Sequence, residues 1–351
     1  MGKQVSPVST SEVISQLRLP LIVLVTYAHS YGAVNADYSL LAEGWDSYAV
    51  LRLLVSQTLV KVVVPVFFII SGYLFFCNVD EWDMRGYKAK LLRRVKTLLV
   101  PYVVWNLLMA VKLRTASLSV LWAFWHQAGK QIDWFGFENM MTAPADMPLW
   151  FLRDLMVVTL ITPILYIGLR RVGAWLIGVL TVVYLSGIGA FAVPGLSMYA
   201  LYYFCLGAWL GIRKVSPVDA SLRFEWVAYV LSAALGVAML FAWPTSVFSS
   251  LMLAFRLTGS VAVFCIAYRL LSYTSYRIPQ PLCRSSYFVY LAHYVLTLSF
   301  VDAAIFHLLG SESSTALCVH YLSAPLIKAG LFVGIYTVYY WISIRKSGRL
   351  F

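Results

Sequence analysis

Two side chains capable of chemistry stand eleven residues apart in the stretch RLPLIVLVTYAHS, with Arg18 opening it and His29 near its end. An imidazole titrates near neutral pH and can take the proton from a hydroxyl as that hydroxyl attacks an acyl carbon. A guanidinium pairs with phosphates and carboxylates. On a helix, eleven residues are three turns plus about 20°, so both side chains share one face about 16 Å apart along the axis. No charged residue lies between them. The pair suits an elongated ligand that reaches the imidazole from the arginine's side. The competing use of a lone buried histidine is a structural hydrogen bond.

Five more cations, Arg52, Lys61, Arg153, Arg256 and Lys328, lie inside apolar runs whose nearby acids are Asp154 and Asp302. A charge in a bilayer costs a few kcal/mol even on lenient scales, so such residues usually face a cavity or a partner. Arg52, Arg153 and Lys328 lie within about two turns of span ends, where snorkelling to the headgroups is the alternative. Lys61 and Arg256 sit deeper. Two acids cannot neutralise five cations, so the excess predicts an anionic ligand, a phosphate or a carboxylate, in a polar chamber.

The chain that positions these groups has 351 residues, 61% hydrophobic and only 12% charged, with a mean hydropathy of +0.78. Soluble domains carry about 25% charged residues, and recurring apolar runs of about 18 or more mark membrane helices. The fold class is therefore all-α, a polytopic helical membrane bundle. Ten spans are expected, at 16–34, 51–77, 95–113, 148–169, 173–190, 196–212, 225–243, 248–271, 285–309 and 323–344. They form a single transmembrane domain over 1–351 with no separate soluble domain. Glu12, Arg18 and His29 are unlike a secretory signal, so the first helix is expected to be retained. Trp122, Phe124, Trp125, Trp134 and Phe135 mark the polar stretch 114–147 as an element at the membrane interface.

With both termini in the cytoplasm, 19 of the 27 Lys and Arg residues fall on the inner side. The run from Arg85 to Lys96 and the pair Arg170–Arg171 are the clearest cases. Positive charge inside sets topology, so the net charge of +12 is largely a topological signal. Nucleic acid is not an expected partner; the lipid bilayer is. The five cysteines show no paired metal-ligand spacing, and no metal is expected.

At the level of whole motifs the chain resembles the acyltransferase-3 family of integral membrane acyltransferases. The Arg18-to-His29 pattern matches the family's first helix, and VPVFFIISGYLFF (Val64 to Phe76) its Pro-x-Phe-Phe-x-x-Ser-Gly segment. KLLRRVKTLLVPYVVWN (Lys90 to Asn106), PLWFLRDL (Pro148 to Leu155) and SYFVYLAHYVL (Ser286 to Leu296) follow in family order. The family often places an acid three positions before the arginine and a glycine after it. Here Ser15 and Leu19 stand there.

The resemblance implies an enzyme of the bacterial cytoplasmic membrane that moves an acyl group, most commonly acetyl, from cytoplasmic acyl-CoA to a hydroxyl of an extracytoplasmic glycan. Acyl-CoA is then a donor substrate, and no tightly bound cofactor is expected. His29 is the expected general base, or alternatively the acyl carrier. Arg18, Arg93, Arg94 and Lys96 would meet the CoA phosphates, with Tyr102 lining the way in; plain positive-inside charge is the alternative for the four cations. On the acceptor side stand Lys61, Arg256 and Arg153, the last equally suited to an internal salt bridge with Asp154. Trp150 serves as an interface anchor or a sugar platform. Ser71, next to Gly72, serves helix packing or donates to the thioester carbonyl. His293 is a second functional imidazole or a core hydrogen-bonding group. The competing function is a carrier or flippase for anionic or lipid-linked saccharides; a sensory or scaffold domain would leave His29 and the buried cations without work.

Overall fold

A computed structural model describes residues 8–29, 46–115, 141–187, 194–243, 245–310 and 313–346. The aromatic residues Trp122 to Phe135, expected at the interface, lie outside the described residues. The described residues are mostly helical: α1 Thr10–His29, α2 Ser47–Phe76, α3 Met84–Lys112, α4 Trp150–Leu160, α5 Thr162–Leu185 and α6 Met198–Ile212. Then come α7 Glu225–Ala242, α8 Ser246–Tyr273, α9 Gln280–Val295, α10 Ser299–Leu309 and α11 Ser314–Lys346.

All ten expected segments fall on these helices, but not one to one. Among the described residues, seven helices are each long and apolar enough to cross a membrane, or eight when the bent pair α9 and α10 is one span. Segments 148–169 and 173–190 become α4 and α5, separated at Ile161 and kinked at Val172 (φ −131°, ψ 31°), just after Arg170–Arg171. Helix α6 has 15 residues, about 22 Å, against a hydrocarbon core of about 30 Å. Helix α1 begins earlier than its apolar run, so Pro20 lies in its interior rather than near its start. The ring deprives the Gln16 carbonyl of its main-chain donor. The outward faces of α5 and α7, with Trp175, Val182, Trp226 and Phe241, are more than half exposed, as lipid-facing helices are.

The chain groups into two compact units: Met1–Ile14, Lys61–Leu107 and Asp133–Ser275, and Ser15–Val60, Leu108–Ile132 and Tyr276–Phe351. In the first, α2 and α6 run parallel in close contact. A Cβ at Gly207 would stand 2.0 Å from the Ile69 carbonyl oxygen, and one at Gly72 would stand 2.2 Å from that of Phe204. Gly207 and Gly211 form a small-xxx-small pair, the pattern that lets membrane helices approach. Arg269 of α8 grips Glu225 of α7 at 2.6 Å, and Lys214 meets Asp80 at 2.9 Å. The Lys214 ammonium holds the Asp80 carboxyl below its ordinary range.

In the second unit, α1, the first part of α2 and α11 meet around Tyr27, Tyr48, Val60 and Tyr321. The Tyr27 hydroxyl donates to the Leu322 carbonyl at 2.7 Å. The Ser56 hydroxyl donates to the Tyr27 carbonyl at 2.8 Å and lies 2.6 Å from the Tyr321 hydroxyl. Ser56 belongs to a π turn, 53–58, within α2. Such turns inside α-helices often accompany functional sites.

Candidate active site

The second unit brings two imidazoles together. Near the start of α1, the Gln16 side chain accepts from the Ile278 N–H at 2.7 Å and donates to the Ile278 carbonyl at 3.0 Å. Its amide also lies 3.8 Å from the Cys283 sulfur of α9. At the other end, the His29 ring lies 5.4 Å from the rings of both His293 and Tyr294. Residue 16 thus meets 278–283, and residue 29 meets 293–294, so α1 and α9 run parallel. Two parallel crossings require an odd number of crossings between them; the seven expected segments between the first and the ninth satisfy that. Tyr27, two residues before His29, is held by the bonds to Leu322 and Ser56, which fix this end of α1.

The main chain holds one ring nitrogen of His293. Its Nδ1 lies 2.7 Å from the Tyr290 carbonyl oxygen, which can only accept, so Nδ1 carries the hydrogen. Nε2 then holds the lone pair, since the hydrogen bond made by one ring nitrogen fixes the role of the other. This Nε2 is buried with no hydrogen-bond partner among the described residues. Two residues later α9 ends. Leu296 leaves helical geometry (φ −95°, ψ 85°), Leu298 is left-handed (φ 48°), and α10 departs at 74°. A left-handed leucine is strained by about 1–2 kcal/mol, and such strain collects at functional sites. The break frees carbonyls at the end of α9, and Lys112 takes one of them: its ammonium donates to Val295 at 2.9 Å. Lys112 is 0% exposed. It was absent from the five cations singled out by sequence, because it lies at the very end of an expected span. Its signal was positive charge at an outer end, where the topology expects little.

Asp154 takes Arg153 at 2.8 Å, and Arg153 also donates to the carbonyls of Met141 and Thr142. Asp302 takes Lys328 at 2.6 Å and His320 at 3.0 Å. Arg52 is buried with its guanidinium 5.7 Å from the Tyr48 ring. Lys61 and Arg256 have no acid within ion-pair distance among the described residues.

A family model for an acyltransferase domain, of the acyltransferase-3 type, matches residues 13–344. The chain belongs to the acyltransferase-3 family. It is a multi-pass membrane member of it. The succinoglycan biosynthesis protein ExoH of Rhizobium meliloti (strain 1021) is 26% identical over 173 residues, covering 46% of this chain and 44% of that protein. The match thus spans less than half the length of that relative. No solved structure matches.

In this acyltransferase-3 chain the remaining candidates lie in the first unit. Arg93 and Lys96 are exposed and Arg94 is half-buried, the last just before a π turn in α3. Tyr102, expected to line the way in, is buried at 2% exposure, and its carbonyl accepts from the Asn106 side-chain amide at 2.8 Å. Trp150 is half-buried, its ring 6.0 Å from that of Tyr199. Ser71 is half-buried beside Gly72, the residue that meets α6.

Proposed function

We propose that this chain is a membrane O-acyltransferase that moves an acyl group from cytoplasmic acyl-CoA to a hydroxyl of a glycan outside the bacterial cytoplasmic membrane. The observation that carries the reading is the His29–His293 pair, set beside the break after α9, with Arg18 eleven residues before His29 on α1. His29 takes the proton from the acceptor hydroxyl, and the oxygen attacks the thioester carbonyl. The C–S bond then breaks, the new ester forms, and the CoA thiolate leaves and takes up a proton. His293, with hydrogen on Nδ1 and a free lone pair on Nε2, hands that proton on. Arg18 meets the CoA phosphates, where charge-assisted pairs are strong. Acetyl is the proposed acyl group. The family and the relative named for succinoglycan biosynthesis support a polysaccharide acceptor.

The test feeds radiolabelled acetyl-CoA to inverted membrane vesicles holding wild type or His29→Ala and follows label into glycan. Removing a general base lowers rates by about 10²–10⁴, so transfer should fall at least about 100-fold in a stably inserted variant. Equal transfer by His29→Ala would remove His29 from the chemistry. Absence of transfer from any acyl-CoA, with unchanged cellular glycans in the variant, favours a carrier of anionic saccharides, a reading that the acid-free Lys61 and Arg256 also fit.

A further inference from the structure

Two of the three in-span cations that Asp154 and Asp302 do not take, Lys61 and Arg256, stand together. Arg256 lies on α8, and Lys61 lies on α2 within a tight 3₁₀ stretch, Leu59–Val62. Gly259 follows Arg256 by one turn, and a Cβ there would come within 2.5 Å of Val62. The two helices therefore touch next to Lys61, and the Lys61 ammonium feels the charge of Arg256. The Nε of Arg256 is buried with no hydrogen-bond partner among the described residues. Its guanidinium lies 4.9 Å from the centre of the Tyr199 ring. Around Tyr199 stand Trp150 at 6.0 Å and Tyr184 at 6.5 Å.

Two like charges at a helix contact repel each other, and both lose hydration in an apolar surround. Among the described residues no carboxylate pairs with either cation, and an anion between them would relieve the repulsion. Aromatic faces beside the cations suit the apolar face of a sugar ring. By the charge rule, Lys61 is mid-span and Arg256 lies ten residues, about 15 Å, from the outer end of α8. We propose that Lys61 and Arg256, walled by Tyr199 and Trp150, bind an acidic saccharide through its carboxylate or phosphate. The acyltransferase reading is what makes this saccharide the acceptor; the anion site itself stands without it.

Wild-type protein in phosphatidylcholine nanodiscs is titrated with cellobiouronic acid, glucose 1-phosphate and cellobiose. At least one anionic probe should bind tenfold or more tightly than cellobiose, and the preferred one tells carboxylate from phosphate. The double variant Lys61→Gln/Arg256→Gln should bring the three affinities together. The charge-keeping double variant Lys61→Arg/Arg256→Lys should retain the preference. Equal or undetectable binding of the probes by wild type, or a preference that survives the double glutamine variant, overturns the proposal. His29→Ala, titrated alongside, should keep the preference while losing transfer. His29-dependent transfer without anion preference removes this site and leaves the acyltransferase reading standing; anion preference in a wild type that transfers nothing does the reverse.

Discussion

Lys112→Met separates what holds the fold from what serves the chemistry. The ammonium of this fully buried lysine donates to the Val295 carbonyl at 2.9 Å, at the residue where α9 ends. Methionine keeps the length of the side chain and removes donor and charge. Losing a charge-assisted hydrogen bond costs about 1.5–3 kcal/mol, and losing a cation at a helix C-terminus up to about 2 kcal/mol. Against this, a buried ammonium carries a desolvation penalty of several kcal/mol that methionine lacks. The terms nearly cancel, so the melting temperature should stay within a few degrees of wild type. Geometry does not cancel. The released Val295 lies two residues from His293, and a misplacement of about 1 Å costs about 100-fold in rate. Label transfer from acetyl-CoA in vesicles should therefore fall about 100-fold while size-exclusion profiles and thermal melts are unchanged. Transfer within threefold of wild type, or a loss that merely follows the amount of folded protein, would refute the reasoning.

Gly207→Val should be among the most destabilising single changes in the first unit, because its Cβ would meet the Ile69 carbonyl at 2.0 Å and force α2 and α6 apart. Gly178→Ala, where nothing lies within 4 Å, should leave the melt of the detergent-solubilised protein unchanged; similar melts for both would contradict the close approach. Asp302→Asn leaves the Lys328 ammonium without its carboxylate partner and should lower stability by about 3–5 kcal/mol. The double change Asp302→Asn/Lys328→Met should recover most of that loss, and a thermal melt that shows no recovery counts against a paired charge.

The apolar runs were legible because lipid demands that each be a helix, and the helices follow them. Also legible was the arithmetic of charge: Asp154 and Asp302 each take one of the five cations, which leaves three, Lys61 and Arg256 among them. The break after α9 was not. The residues Val295 to Ser299 read VLTLS, with neither glycine nor proline to announce it, and Leu298 enters the left-handed region (φ 48°) only because its surroundings hold it there. The run 285–309 therefore reads as one span. In the same way, Ile161 and Val172 divide 148–190 differently from its apolar periodicity. Gly207 and Gly211 carry a recognisable spacing, but the partner of α6 was visible only in three dimensions.

The helix break lies two residues past His293, whose ring is 5.4 Å from that of His29. An unbroken α9 would satisfy its own carbonyls and leave nothing for a buried ammonium to do. Non-helical backbone at membrane depth survives only where protein or a water-filled cavity takes up its polar groups. Here Lys112 takes the carbonyl of Val295, while the carbonyl of Tyr290 holds Nδ1 of His293. The main chain thus supplies both the fixed tautomer and the end of the helix. The lone pair on Nε2, without a hydrogen-bond partner among the described residues, is the acceptor that the proposed proton transfer from His29 requires.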